Sequence, residues 1–191
     1  MSGFVFVSGR SSLDFAGTML WRRTIRTELL GDSGDLSRWF SEAGLFDLVD
    51  DPDTVDIEYA RRVREAIYDV VVGCLGSGDD TSVGRMNFDP ESAAVLNSAA
   101  ATPLPTVTLD IDGMAKVTGT TRNGLSLLAR DAIELLASAD LAKMRECSNP
   151  DCTRLFVDVS RGGSRRWCGM AECGNRKKAA DYRRRHKELS T

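Results

Sequence analysis

The chain has 191 residues with a formal charge of −3, 28% charged and 42% hydrophobic residues, enough for a medium-sized core plus a small module and too apolar for a disordered chain. No apolar run approaches the ~20 residues of a membrane span, and Met1-Ser-Gly-Phe-Val-Phe-Val is too short and lacks the basic start of a signal peptide. The net charge hides a division: residues 1–142 carry 12 Lys and Arg against 22 Asp and Glu, a balance of −10, and residues 143–191 carry 13 against 6, a balance of +7.

Phe4 to Val7 reads as a short strand. Ser11 or Ser12 can cap a helix running through Leu13, Phe15, Ala16, Met19 and Leu20. Asp14 falls early in that helix, where the dipole favours a carboxylate; a ligand-binding role is the alternative. Arg22, Arg23 and Arg26 follow, as a solvated surface or the lining of an anionic pocket. Asp32 or Ser33 opens a second helix with Leu36, Trp39, Phe40 and Leu45 on one side and Gly44 at its end. The five aspartates between Asp47 and Asp56 read as a solvated loop, with Asp53 or Thr54 capping the next helix; no His accompanies them to suggest a metal or a catalytic dyad.

Thr54 to Leu75 is the strongest helical pattern in the first part. Ala60, Val63, Ile67, Val70, Val71 and Cys74 form its apolar stripe, opposed by Arg61, Arg62, Glu65 and Asp69. Cys74 is expected as a buried free thiol. A loop at 76–80 follows. Asp89-Pro90 then opens a short helix to about Ala101, ended by Pro103 and Pro105. Thr106 to Ile111, the turn Asp112-Gly113 and Met114 to Thr118 predict a hairpin. A last helix is expected from about Asn123 to Ala139. Residues 138–143 are the expected boundary, too short to let the end of the chain swing free. The chain shows no internal repeat.

The final stretch carries the chemistry. Cys147 and Cys152 have four residues between them, as do Cys168 and Cys173, and fifteen residues separate the pairs. Two close pairs at finger distance are a metal signature. Four thiolates satisfy tetrahedral Zn²⁺ completely, so one closed, structural zinc is expected, with no open position for catalysis. Two disulfides or four unrelated cysteines are the alternative, which the spacing, the clustering and a reducing compartment oppose. Asn149-Pro150-Asp151 gives the first pair a tight knuckle. Leu155 to Val159 reads as a strand, Arg161 to Ser164 as a loop and Arg165 to Trp167 as the returning strand. A helix follows from Gly174 to Leu189. Knuckle, hairpin and helix make a treble-clef-like finger whose small core leaves much of its folding to the metal.

Cys173-Gly174-Asn175-Arg176 after Trp167-Cys168 resembles the CGNR zinc-finger family, with Asn149, Phe156, Asp158, Arg166, Met170, Lys178, Tyr182, Arg183 and Arg185 also matching. Leu13-Asp14-Phe15-Ala16-Gly17-Thr18 resembles the opening motif of the ABATE domain, which commonly has Asn where this chain has Gly17. The resemblance implies a bacterial, stress-linked transcription regulator: an ABATE-like, mostly helical domain over 1–142 and a nucleic-acid-binding CGNR finger over 143–191. The overall class is α+β, and the chain is not expected to be an enzyme: it has no nucleophile–base pair and no Gly-rich phosphate loop.

A Zn²⁺ with four thiolates adds −2, leaving about +5 on the finger. Arg165, Arg166, Arg176, Lys177, Lys178, Arg183, Arg184, Arg185 and Lys187 are therefore candidate phosphate contacts. Asn175 is a candidate adenine contact or a brace at the helix start. Trp167 reads as packing against the knuckle, with stacking on a base as the alternative, and His186 lies too far along the helix to ligate zinc. Asp14, Phe15 and Thr18 are the candidate ligand or structural motif of the first domain, which is expected to sense a small molecule or mediate a homodimer. DNA is the expected partner, with RNA binding or protein docking as the other reading, and the location expected is cytoplasmic, at the nucleoid.

Overall fold

The computed structural model describes residues 3–49, 56–75 and 87–175. Among them five helices, three small sheets and a cysteine cluster give a mixed α/β molecule, mostly helical before residue 138.

Helix α1 is Ser11–Ala16. Neither serine caps it. The amide of Ser12 is satisfied from outside, by Asp131 Oδ2 at 2.9 Å, and Arg10 pairs with the same carboxylate at 3.0 Å. An external acid at the helix start does what a capping side chain would. Met19 and Leu20, expected to continue this helix, leave it and form β1, which pairs antiparallel with β2 (Thr27–Glu28). Helix α2 is Ser33–Ala43, opened by Asp32, whose side chain accepts the Asp35 amide, and closed by Gly44. The aspartate-rich stretch begins as a strand, β3 (Asp47–Leu48); residues 50–55, with the expected cap at Asp53 or Thr54, lie outside the described residues.

Helix α3 is Ile57–Leu75 and α4 is Pro90–Ala100, with Asp89 accepting the Glu91 amide. The loop expected at 76–80 lies outside the described residues. Cys74 is half-buried rather than buried, and burial pushes its thiol up. Strands β4 (Thr106–Leu109) and β5 (Ala115–Gly119) form the expected hairpin, in register from Thr106 opposite Thr118 to Leu109 opposite Ala115, and β3 adds in parallel on the far side of β5. Helix α5 is Thr121–Ala137, opened by a capping box between Thr120 and Asn123.

The main core lies between α1, α2, α3, α4 and α5. Phe15, Trp39, Phe40 and Phe46 run through it with ring centroids 4.9 to 5.3 Å apart. Gly124 on α5 sits where a Cβ would come within 2.5 Å of the Phe40 ring, so the helix can approach only as glycine.

One cation interrupts this core. Arg64 lies inside the α3 stripe and is 1% exposed. It forks onto Glu28 at 2.5 and 2.7 Å and reaches Thr18 Oγ1 at 3.4 Å. Burial pushes the Glu28 carboxyl up, but the Arg64 hydrogen bonds, the Leu30 amide and the charges of Arg64 and Arg61 outweigh it and hold it below the usual range.

After a short turn at Leu141–Lys143 come β6 (Met144–Glu146) and β7 (Leu155–Val157), paired antiparallel. The finger's hairpin is thus not the expected one. Leu155–Val157 takes its partner from the residues before Cys147, and Arg165 to Trp167 forms no strand. Side chains alternate across β7. Leu155 and Val157 join Leu13, Val71, Leu135 and Met144 in an apolar seam against the first domain, and Phe156 faces the cysteines.

The expected strand at Phe4 to Val7 is absent; the segment is an unpaired strap crossing between the two parts. The Val157 amide donates to the Ser8 carbonyl at 2.9 Å, Arg154 to the Val5 carbonyl at 3.3 Å and Arg165 to the Val7 carbonyl at 2.8 Å.

Candidate metal centre

The hairpin β6–β7 brings Cys147 to its end and Cys152 back beside it. The knuckle between them is closed by the Cys152 amide on the Asn149 carbonyl at 2.8 Å, and the Cys147 amide bonds the Arg154 carbonyl at 3.0 Å. Cys168 arrives by the loop that Asp158 organises: its Oδ1 accepts from the Ser160 amide and hydroxyl at 2.9 and 2.6 Å, and its Oδ2 from the Arg165 amide at 2.9 Å. Those bonds, the Ser160 hydroxyl first, hold the Asp158 carboxyl below its usual range. Cys173 sits in a single wide turn, Met170–Gly174, with a bond from the Gly174 amide to the Gly169 carbonyl at 3.0 Å. The end of the Met170 side chain lies over Gly174, where an added Cβ would come within 2.6 Å of its sulfur.

The four ligand sulfurs lie within 4.8 Å of one another, and all four residues are buried. Cys152 and Cys168 Sγ are 3.8 Å apart. Zn–S bonds of about 2.3 Å in a tetrahedron put sulfurs about 3.8 Å apart, so the cluster has the size that Zn²⁺ requires. Two amide donors point at sulfur: Cys168 N to Cys147 Sγ at 3.4 Å and Asn149 Nδ2 to Cys173 Sγ at 3.5 Å. Such outer bonds orient thiolates and spread their charge. Thiols packed this closely cannot all ionise unaided. Hydrogen bonds from Cys152 and Cys168 hold Cys147 down to about 2 as a thiolate, the same contact with Cys147 pushes Cys152 up to about 12, and contacts with Cys147 and then Cys152 push Cys168 up. A divalent cation takes the place of the shared protons and lets all four deprotonate.

Around the sulfurs, Phe156, Trp21 and Trp167 complete a small apolar shell. Trp167 packs there, as expected, with the Arg166 guanidinium 5.7 Å over its ring. Arg166 itself is exposed. Arg165 is engaged within the protein: it donates to the carbonyls of Val7, Trp167 and Cys168 and lies 4.2 Å over the Phe156 ring. Asn175 is exposed just past the wide turn. Arg176, Lys177, Lys178, Arg183, Arg184, Arg185 and Lys187, together with Tyr182, His186 and most of the helix expected from Gly174, lie outside the described residues.

The first-domain motif Asp14, Phe15 and Thr18 lies 10 to 14 residues after Phe4 in sequence, and it serves the same junction. Asp14 Oδ1 accepts the amides of Val7 and Ser8, both at 2.9 Å, fixing the strap. Burial raises its pKa despite those bonds and the Arg154 charge. Phe15 is in the core, and Thr18 bonds the Phe15 carbonyl at 2.7 Å while facing Arg64. A Cβ on Gly17 would meet Arg154 Nη1 at 2.9 Å. Sequence reasoning missed Arg64, Arg154 and Trp21. Arg64 had a signal: it lies four residues after Ala60 and three before Ile67, inside the apolar stripe. Trp21 had none; it holds φ 53°, a left-handed conformation rare for a side chain of its size, against the cluster.

A closed four-thiolate site, without room for a substrate on the metal, in a hairpin-and-turn module seated on a helical domain defines a structural zinc-finger protein. The chain belongs to the ABATE family, described as "Putative stress-induced transcription regulator", whose model matches residues 9–139. Residues 143–186 match the CGNR zinc finger. Both are regulatory or zinc-finger types, not enzyme families. No curated protein matches the chain. Among the described residues no helix is long and apolar enough to cross a membrane.

Proposed function

We propose that this regulatory zinc-binding protein is a DNA-binding transcription regulator, with residues 143–191 as its binding end and residues 1–142 as the part that senses a small molecule or mediates assembly. The observation that carries the reading is the coincidence of the charge division with the metal module: the −10 and +7 parts meet where the cysteine cluster begins. The metal, through Cys173, holds the wide turn Met170–Gly174, which in the sequence directly precedes the basic run beginning at Arg176. Cations there, with Arg166, neutralise phosphates and release counterions, and Asn175 stands at the start of that segment for a base edge. Arg165 serves by bracing the finger on the strap.

The test is recovery of genomic DNA fragments by the purified zinc-loaded protein, with and without a chelator, across a salt series. Retention that weakens steeply with salt and disappears with the metal is expected. Arg183→Ala with Arg184→Ala is expected to keep zinc and flatten the salt dependence. A preference for single-stranded RNA over duplex DNA, or no binding at low salt, overturns the reading.

A further inference from the structure

The hairpin β1–β2 belongs to the acidic part of the chain, yet its loop, Trp21-Arg22-Arg23-Thr24-Ile25-Arg26, carries three arginines and no carboxylate. The loop is fixed on the metal module at three points. Trp21 packs against the cysteine cluster, the Arg22 amide donates to Thr153 Oγ1 at 3.4 Å, and the Arg23 guanidinium pairs with Glu146 at 2.7 Å. Past these anchors the tip from Arg23 to Arg26 is exposed, and Ile25, an apolar side chain with no core to serve, is 83% exposed.

The three arginines differ in what they can reach. Arg22 is committed inward: it bonds Glu65 and the Met19 carbonyl and lies 4.0 Å over the Tyr68 ring. Arg26 reaches only the Arg22 carbonyl among the described residues, at 3.4 Å. Arg23 is about half exposed while it pairs with the half-buried Glu146, so part of its guanidinium stays open to solvent. In the knuckle beside Glu146, the Ser148 amide donates to the carbonyl of the exposed Arg166 at 2.8 Å. Arg23, through Glu146, and Arg166, through Ser148, both reach the segment 146–148, so a cation of the acidic domain and one of the finger meet at the junction.

We propose that the Trp21–Arg26 loop is a second DNA contact, a wing carried by the first domain and set in position by the finger. Arg23 and Arg26 neutralise backbone phosphates next to the finger's own contacts, and Ile25 meets the apolar edge of a groove. The proposal rests on the DNA-binding reading above.

The test uses the full-length, zinc-loaded protein and a mixed-sequence DNA duplex titrated at several salt concentrations. Arg23→Ala with Arg26→Ala is expected to lower affinity about tenfold and to reduce the steepness of log K against log salt by about 1–2, with zinc content unchanged. Arg26→Ala alone, which touches no bond to the finger, is expected to give about half that loss of slope. Glu146→Gln removes the carboxylate and leaves Arg23 in place, so affinity is expected to hold or rise. Unchanged affinity and slope in both arginine variants overturns the wing and leaves the DNA-binding reading standing. A loss in the double variant that is matched by Glu146→Gln, or that comes with loss of zinc, makes Arg23 a brace and also overturns it. A wild-type protein that binds no duplex at low salt removes the underlying reading, and the wing with it.

Discussion

Among the described residues, eighteen buried side chains from five helices and the segments between them make the core of the helical part, whereas the finger's own cluster has five, four of which are the cysteines. The first region is held by apolar area, spread over many side chains, each replaceable at a finite cost. The second is held by one ion whose ligands act together. Between them lies a third contact of six buried apolar residues shared by both. The finger's hairpin therefore has somewhere to rest without the metal, but its knuckle and wide turn do not.

The sharpest way to break this contrast is Cys168→Ser. Zinc binding contributes about 10–16 kcal/mol to isolated finger peptides, so loss of the metal and unfolding of the knuckle and the wide turn are expected, with most helical signal retained. Zinc analysis beside far-ultraviolet circular dichroism measures both; helices that melt together with the metal would show one cooperative unit instead of two. Phe15→Ala tests the opposite side. It should cost about 3–5 kcal/mol by urea midpoint, and the protein that remains folded should keep its zinc. Asp14→Ala acts on both regions at once. Leaving the Val7 and Ser8 amides without their acceptor should cost about 1–3 kcal/mol, and zinc should be stripped more readily by a competing chelator.

A smaller effect comes from Glu28. Its folded pKa is depressed, so its contribution is complete above the ordinary Glu value of about 4.3 and is lost as pH falls through the lower folded value. The difference between urea midpoints of the natural protein and Glu28→Gln should shrink over that acid range, because protonation of Asp14 and of the thiolates is common to both. The smallest effect expected is that of Gly17→Asn, within about 1 kcal/mol, because the closest atom in its way is the tip of the Arg154 side chain, which can swing aside, and the Asp14 and Leu13 carbonyl oxygens at 3.2 and 3.4 Å ask for only a small shift. A large loss there would mean that Arg154 is more rigidly held than its bond to Val5 requires.

What could be read in advance follows the same division. Cysteine spacing announced the metal because ligand number and separation are local facts. Asp32 with Gly44, and Asp89 with Pro90, announced α2 and α4 because caps lie within a few residues of what they cap. The partner of β7 was not legible. Alternation in Leu155–Val157 marks a strand, but only the knuckle decides that Met144–Glu146 and not Arg165–Trp167 lies beside it. The roles of Asp14 and Arg165 were hidden for a related reason: both act on the strap, and nothing in Phe4–Val7 shows that an extended segment is bonded by side chains instead of a neighbouring strand. Arg64 was legible in its spacing and unexplained without Glu28, which lies 36 residues away.

The strap also imposes an order of events during synthesis. Val5 and Val7 are bonded by Arg154 and Arg165, which follow them by 149 and 158 residues. At ribosomal rates of about 5–20 residues per second, that interval is roughly 8–30 s. For that time Asp14, seven residues after Val7, is the strap's nearest bonded anchor, and the finger must close over a segment made well before it.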